Sequence, residues 1–228
     1  MIRKDAKKFS RFEKSYWQYF LELEEQFVST KRYVTFDKAN FKTFSSEYLK
    51  LLEAVCSEID MVGKEIAHQI NPEFKISDKN IDIQKWWYII QDFITAGELK
   101  PVMLLNEMAF IPWKGYIIEQ YVDKKGATRH RLFGKSKTPS WWTSYNKVKH
   151  SRTLEDPETQ EKYFHRANLG NVCEAFAALY ELEKQYMMAV GRALDYNRCQ
   201  KSTLFENEKS VGHYDEDGDF CQADENGD

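Results

Sequence analysis

Apolar residues recur at three- and four-residue steps along most of the chain. Phe9, Phe12, Tyr16, Phe20, Leu23 and Phe27 form one such stripe, and the spacing predicts a long amphipathic helix. Tyr48, Leu52, Val55, Ile59, Val62 and Ile66 predict a second over about 44–69, ended by Asn71-Pro72. Ile81, Ile83, Trp86, Trp87, Ile90 and Phe93 predict a third, stopped near Gly97 and Pro101. Trp141, Tyr145 and Val148 share a face of a short helix from Ser140 to Ser151, with Ser140 or a neighbour as its cap. Leu169, Val172, Cys173, Phe176, Leu179 and Tyr180 mark a further helix over about 166–191.

One region changes period. Tyr116 to Val122 and Ala127 to Phe133 are β-rich runs around Asp123-Lys-Lys-Gly126, which predicts a β-hairpin. Arg129 and Arg131 are two apart, so they point to the same side of a strand. The expected fold is all-α: a helical bundle of four to five main helices over 1–200, with a small β-hairpin insertion at about 115–134. Residues 201–228 read as an acidic, disordered tail.

Charge refines this division. The 228 residues hold 33 basic and 36 acidic groups, a net of −3. Residues 206–228 carry nine acids against one lysine, whereas 123–152 carry nine Lys/Arg against Asp123 alone. The overall balance therefore does not exclude an anionic partner. A hydrophobic content of 42% supports a packed core. No apolar run approaches the roughly 20 residues of a spanning helix, so no membrane association is expected. The N-terminus lacks an apolar signal region. Cys56, Cys173, Cys199 and Cys221 are far apart, as expected of reduced thiols in a cytoplasmic protein.

The chemically distinctive segment is Pro139-Ser-Trp-Trp-Thr-Ser-Tyr-Asn-Lys-Val-Lys-His-Ser-Arg152. Asn146 and His150 are one helical turn apart, with Lys149 and Arg152 close by. A neutral His exchanges protons, and flanking cations hold phosphate and offset developing negative charge. These properties suit metal-independent RNA cleavage by a 2′-hydroxyl attacking its neighbouring phosphate. Asn146, His150 and Arg152 are the candidate catalytic groups. Arg129, Arg131, Lys135, Lys137, Lys147 and Lys149 are candidate RNA contacts, with Trp142 a candidate stacking surface. The plainer alternative gives Trp141-Trp142 to packing and the cations to helix-end complementarity.

An all-helical layout with Asn146-Lys147-Val148-Lys149-His150 near the last helical pair resembles the HEPN superfamily. That family's signature is Arg followed four to six residues later by His, with a polar residue, often Asn, directly after the Arg. Asn146 and His150 match the last two elements, and Tyr145 stands at the Arg position. The resemblance implies RNA binding, possible ribonuclease activity, a homodimer and a prokaryotic defence or stress setting. The alternative is a non-enzymatic interaction or dimerisation protein.

Other signals are weaker. Glu65-Ile-Ala-His68 has a di-iron spacing but no second copy. Asp215-Glu-Asp-Gly-Asp219 has calcium-loop residues, but Phe220 and Asn226 stand where an EF-hand needs Gly and Glu. The chain has no G-x-x-x-x-G-K-[ST], G-x-G-x-x-G or G-x-S-x-G. Neither a metal nor an organic cofactor is therefore expected.

Overall fold

The computed structural model describes residues 3–77, 81–96, 100–105 and 107–207, and the backbone of 212–214 and 220–222. The fold is predominantly helical, with small antiparallel sheets. The first stripe forms α1 (Ala6–Phe12), a π-helical turn (Glu13–Trp17) and α2 (Gln18–Ser29). Asp5 caps α1 by accepting from the Lys7 and Lys8 amides. The π turn inserts a residue into the helical repeat and rotates α2 relative to α1. Trp17, outside the predicted stripe, is thereby fully buried, while Tyr16 is half-buried. The Trp17 indole stacks on Phe20 and donates to the Gln200 carbonyl at 2.7 Å.

The helix α3 (Ser46–Ile70) matches its predicted span. Ser45 Oγ accepts from the Tyr48 amide at one end, and Asn71 ends the helix before Pro72. Next, α4 (Ile83–Ala96) crosses α3 where Gly63 meets Trp86. A Cβ on Gly63 would lie 2.6 Å from the indole ring, so only glycine permits this approach. The Trp86 indole N–H donates to Asp60 on the same helix as Gly63.

Strands β1 (Pro101–Met103) and β2 (Met108–Ala109) come after α4. The predicted hairpin is β3 (Ile118–Val122) and β4 (Thr128–Leu132), with Ile118 opposite Leu132 and Val122 opposite Thr128. Its turn works as the sequence suggests: Gly126 takes φ +78°, and Asp123 Oδ1 accepts from the Lys125 and Ala127 amides. Gln91 of α4 docks the hairpin like an extra strand residue, donating to the Ile118 carbonyl and accepting from its amide, both at 2.9 Å.

After α5 (Ser140–Ser151) and a 3₁₀ turn (Tyr163–Arg166), α6 (Leu169–Val190) runs through the centre. It packs against α1, α2, α3, α4, α5 and β1. Covered on nearly every side, it buries Glu181, Glu183, Lys184 and Gln185 along with its apolar residues. Glu183 is fully enclosed, and neither carboxyl oxygen has a hydrogen-bond partner among the described residues. Burial, with Glu58 nearby, pushes its pKa well above 4.5. Burial likewise raises Glu181 to about 8 and Glu58 to about 7. Lys184 is enclosed by the rings of Trp17, Tyr180 and Tyr196, at 4.8, 5.7 and 4.3 Å.

The expected boundary at 200 requires correction. Beyond α7 (Ala193–Arg198), β5 (Phe205–Asn207) pairs with β1, giving the order β2-β1-β5. Leu204 and Phe205 are buried, and the buried Glu24 of α2 holds this segment. Its carboxylate accepts from the Thr203 amide at 2.7 Å, the Thr203 hydroxyl at 2.8 Å and the Ser202 hydroxyl. The body therefore extends through Asn207. Further on, the backbones of β6 (Gly212–Tyr214) and β7 (Phe220–Gln222) pair antiparallel. The expected disorder of 208–211, 215–219 and 223–228 falls outside the described residues, as does the calcium-like Asp215–Asp219 run.

Candidate functional site

Helix α5 takes its orientation from its apolar face. Trp141 and Val148 are fully buried, Tyr145 and Trp142 nearly so, and the Trp141 indole donates to the Pro112 carbonyl at 3.2 Å. Pro139, not Ser140, occupies the cap position and offers no side-chain acceptor. Ser140 instead donates to Glu174 of α6 at 3.2 Å. The α5 sequence contains no acidic residue. Lys147, Lys149 and His150 near its end and Arg152 at its C-terminus are all exposed, with Lys147 and Lys149, two residues apart, on different sides of the helix.

The sequence-predicted site residues separate into groups. Asn146 and Lys149 line a cleft of about 390 Å³ between α3, the start of α4 and α5. The cleft has one cationic wall and one acidic wall. On the α5 side, Lys149 Nζ donates to the Tyr145 hydroxyl at 3.0 Å, a bond that raises the lysine pKa. Asn146 Nδ2 donates to the Trp142 carbonyl one turn back, leaving Oδ1 without a partner among the described residues. Trp142 also lines the cleft but is only 8% exposed, which leaves little of its ring open for stacking. Opposite, both Asp60 oxygens are committed, one to the Trp86 indole and one to Lys64 at 2.5 Å. Asp82 caps α4 through Oδ1, which accepts from the Lys85 amide, and Oδ2 has no partner among the described residues.

The His150 side chain lies outside this lining, with no hydrogen-bond partner among the described residues. Arg152 accepts, through its carbonyl, from the Phe164 amide and presents its side chain to solvent. Lys147 sits 4.9 Å over Tyr163, a ring shared with Arg166 at 5.4 Å. Arg166 also pairs with Asp156, and the cluster fixes the 3₁₀ turn against the end of α5.

No family model, curated protein or solved structure matches the chain. The site is therefore defined by its own geometry.

The hairpin cations sit on a separate element packed on α4. Arg129 and Arg131 share one face as expected, but each is paired with a carboxylate: Arg129 with Asp123 at 3.1 Å and Arg131 with Glu119 at 2.7 Å. Glu119 lies outside the basic segment in sequence and joins it only by pairing opposite Arg131. Lys135 and Lys137, just past the hairpin, are exposed. The residues that sequence reasoning missed are Ser57, Asp60, Asp82 and Gln84, which close the cleft from α3 and α4. Asp82, directly before the apolar Ile83, was available as a helix-start signal.

Among the described residues, no cluster of three or more His, Cys, Asp and Glu is placed to hold a metal ion. In the Glu65/His68 pair, Glu65 accepts from Gln69, and His68 Nδ1 contacts the Phe74 carbonyl at 2.8 Å. No helix among the described residues is long and apolar enough to cross a membrane.

Proposed function

We propose that the protein is an RNA-binding helical bundle of HEPN type, acting in the cytoplasm as a homodimer, whose exposed α5 face holds the phosphate backbone. The supporting observation is an acid-free helix that presents Lys147, Lys149, His150 and Arg152 to solvent. Cations exposed around the end of a rigid helix offset phosphate charge and release its counterions. The hairpin arginines are secondary, because Glu119 and Asp123 already offset their charge. The defence or stress setting rests on the family resemblance alone.

The test is anisotropy of a labelled mixed-sequence RNA in EDTA across a salt series. Replacing Lys147 and Arg152 together by Glu should weaken binding and flatten the slope of log affinity against log salt by about 1.4, from two lost phosphate contacts at about 0.7 each. Unchanged affinity and slope would refute the α5 assignment and favour the interaction-module reading.

A second reading, metal-independent cleavage, is favoured by the unpartnered His150 imidazole one turn from Asn146. Tyr145 cannot supply the missing Arg charge, and its hydroxyl is engaged by Lys149. Cleavage in EDTA that disappears in His150→Ala supports this reading, and intact RNA in both proteins removes it.

A further inference from the structure

The cleft beside α5 shares Lys149 with the proposed phosphate-binding cations, and its remaining polar groups have a definite pattern. We infer that it is a nucleobase pocket selective for guanine, an inference that rests on the RNA-binding reading and names the base held there. A volume of about 390 Å³ lies in the range of small-ligand clefts. The carboxylate oxygens of Asp60 are already satisfied by Trp86 and Lys64, so that residue shapes the wall without reading a ligand.

The two charged groups with capacity to bind, the Asp82 carboxylate and the Lys149 ammonium, lie on opposite sides. Asp82 Oδ2 and Ser57 Oγ offer acceptors from the α3/α4 side, where Gln84 adds an amide. Lys149 offers its remaining N–H donors from α5, held in place by Tyr145, and Asn146 Oδ1 adds an acceptor. Guanine carries adjacent N1–H and N2–H₂ donors on one edge and the O6/N7 acceptor pair beside it. A carboxylate facing the donors and an ammonium facing O6/N7 satisfy both at once. Uracil, with two carbonyls flanking one N–H, places an acceptor against Asp82. Adenine and cytosine each present one amino group and no paired donors beside O6/N7.

The experiment compares GMP, AMP, CMP and UMP by calorimetry. It also compares a uridine octamer with the same octamer carrying one guanosine, by anisotropy at several salt concentrations. The expected result is selective binding of GMP and about tenfold tighter binding of the guanosine octamer. Asp82→Asn should abolish that preference while leaving the salt slope unchanged. It should retain the fold, because Asn caps a helix as well as Asp does; its thermal melt checks this. Equal affinities for both octamers and all four nucleotides overturn the guanine inference while salt-sensitive RNA binding stands. Undiminished preference in Asp82→Asn also overturns it. Selective GMP binding without oligonucleotide binding upholds the pocket and rejects the α5 backbone assignment.

Discussion

Glu183 provides a sharp test of how the core is built. Its carboxyl is 0% exposed, without a hydrogen-bond partner among the described residues, and beside a second acid, Glu58. In the unfolded chain the group titrates near 4.5, whereas in the fold its pKa lies well above that value. Folding above pH 4.5 therefore takes up a proton at this group, and its contribution to stability is greatest at low pH. The contribution falls as pH rises through the folded pKa, by about 1.4 kcal/mol for each pH unit over which the folded group stays protonated and the unfolded one does not. Glu181 and Glu58, raised to about 8 and about 7, add slope of the same sign. Urea unfolding at a series of pH values from 5 to 8 reads this directly. Glu183→Gln keeps the shape, removes the titration and should flatten the curve. Glu183→Met also removes an unsatisfied polar group, and should raise stability at pH 7 by about 2 kcal/mol. A steeper or unchanged pH slope in both variants, or a loss of stability in Glu183→Met at pH 7, refutes the reasoning.

Packing sets two further outcomes. Gly63→Ala drives a methyl to 2.6 Å from the Trp86 ring, and should cost about 1–3 kcal/mol, read as a lower urea midpoint with an unchanged m value. Glu24→Ala strips three hydrogen bonds from residues 202–203. Protease cleavage near 200–207 should accelerate, with about 3 kcal/mol of stability lost; resistance equal to wild type would show that β5 is held by its β1 pairing alone.

The sequence revealed what depends on neighbours along the chain. Asn71-Pro72 marked the end of α3, and Asp123 with Gly126 marked the hairpin turn, because caps and turns are local chemistry. The buried Trp17 was hidden because a π turn breaks the 3.6-residue period on which the stripe was read. The strand β5 was hidden because its anchor, Glu24, lies 179 positions from Thr203, and because its neighbours downstream are acidic. For the site, α5 and its two faces were legible from Trp141, Tyr145 and Val148. The cleft was not, since its opposite wall comes from Asp60 and Asp82 on other helices. Nor was the Arg131–Glu119 pair, which exists only through strand register.

The position of α6 has a consequence for the birth of the protein. Helices α1 to α5 all lay their apolar faces on a segment that begins at Leu169, and the first residues are tied to its far end, where the Asp5 amide meets the Val190 carbonyl at 2.7 Å. On a ribosome adding about 5–20 residues each second, those earlier helices emerge many seconds before the element they need. They must wait with greasy surfaces uncovered, until a late-arriving central post and the Glu24-held strand let the whole assembly close in one step. Expression yield should therefore depend on what shelters the nascent chain as much as on the stability of the finished fold.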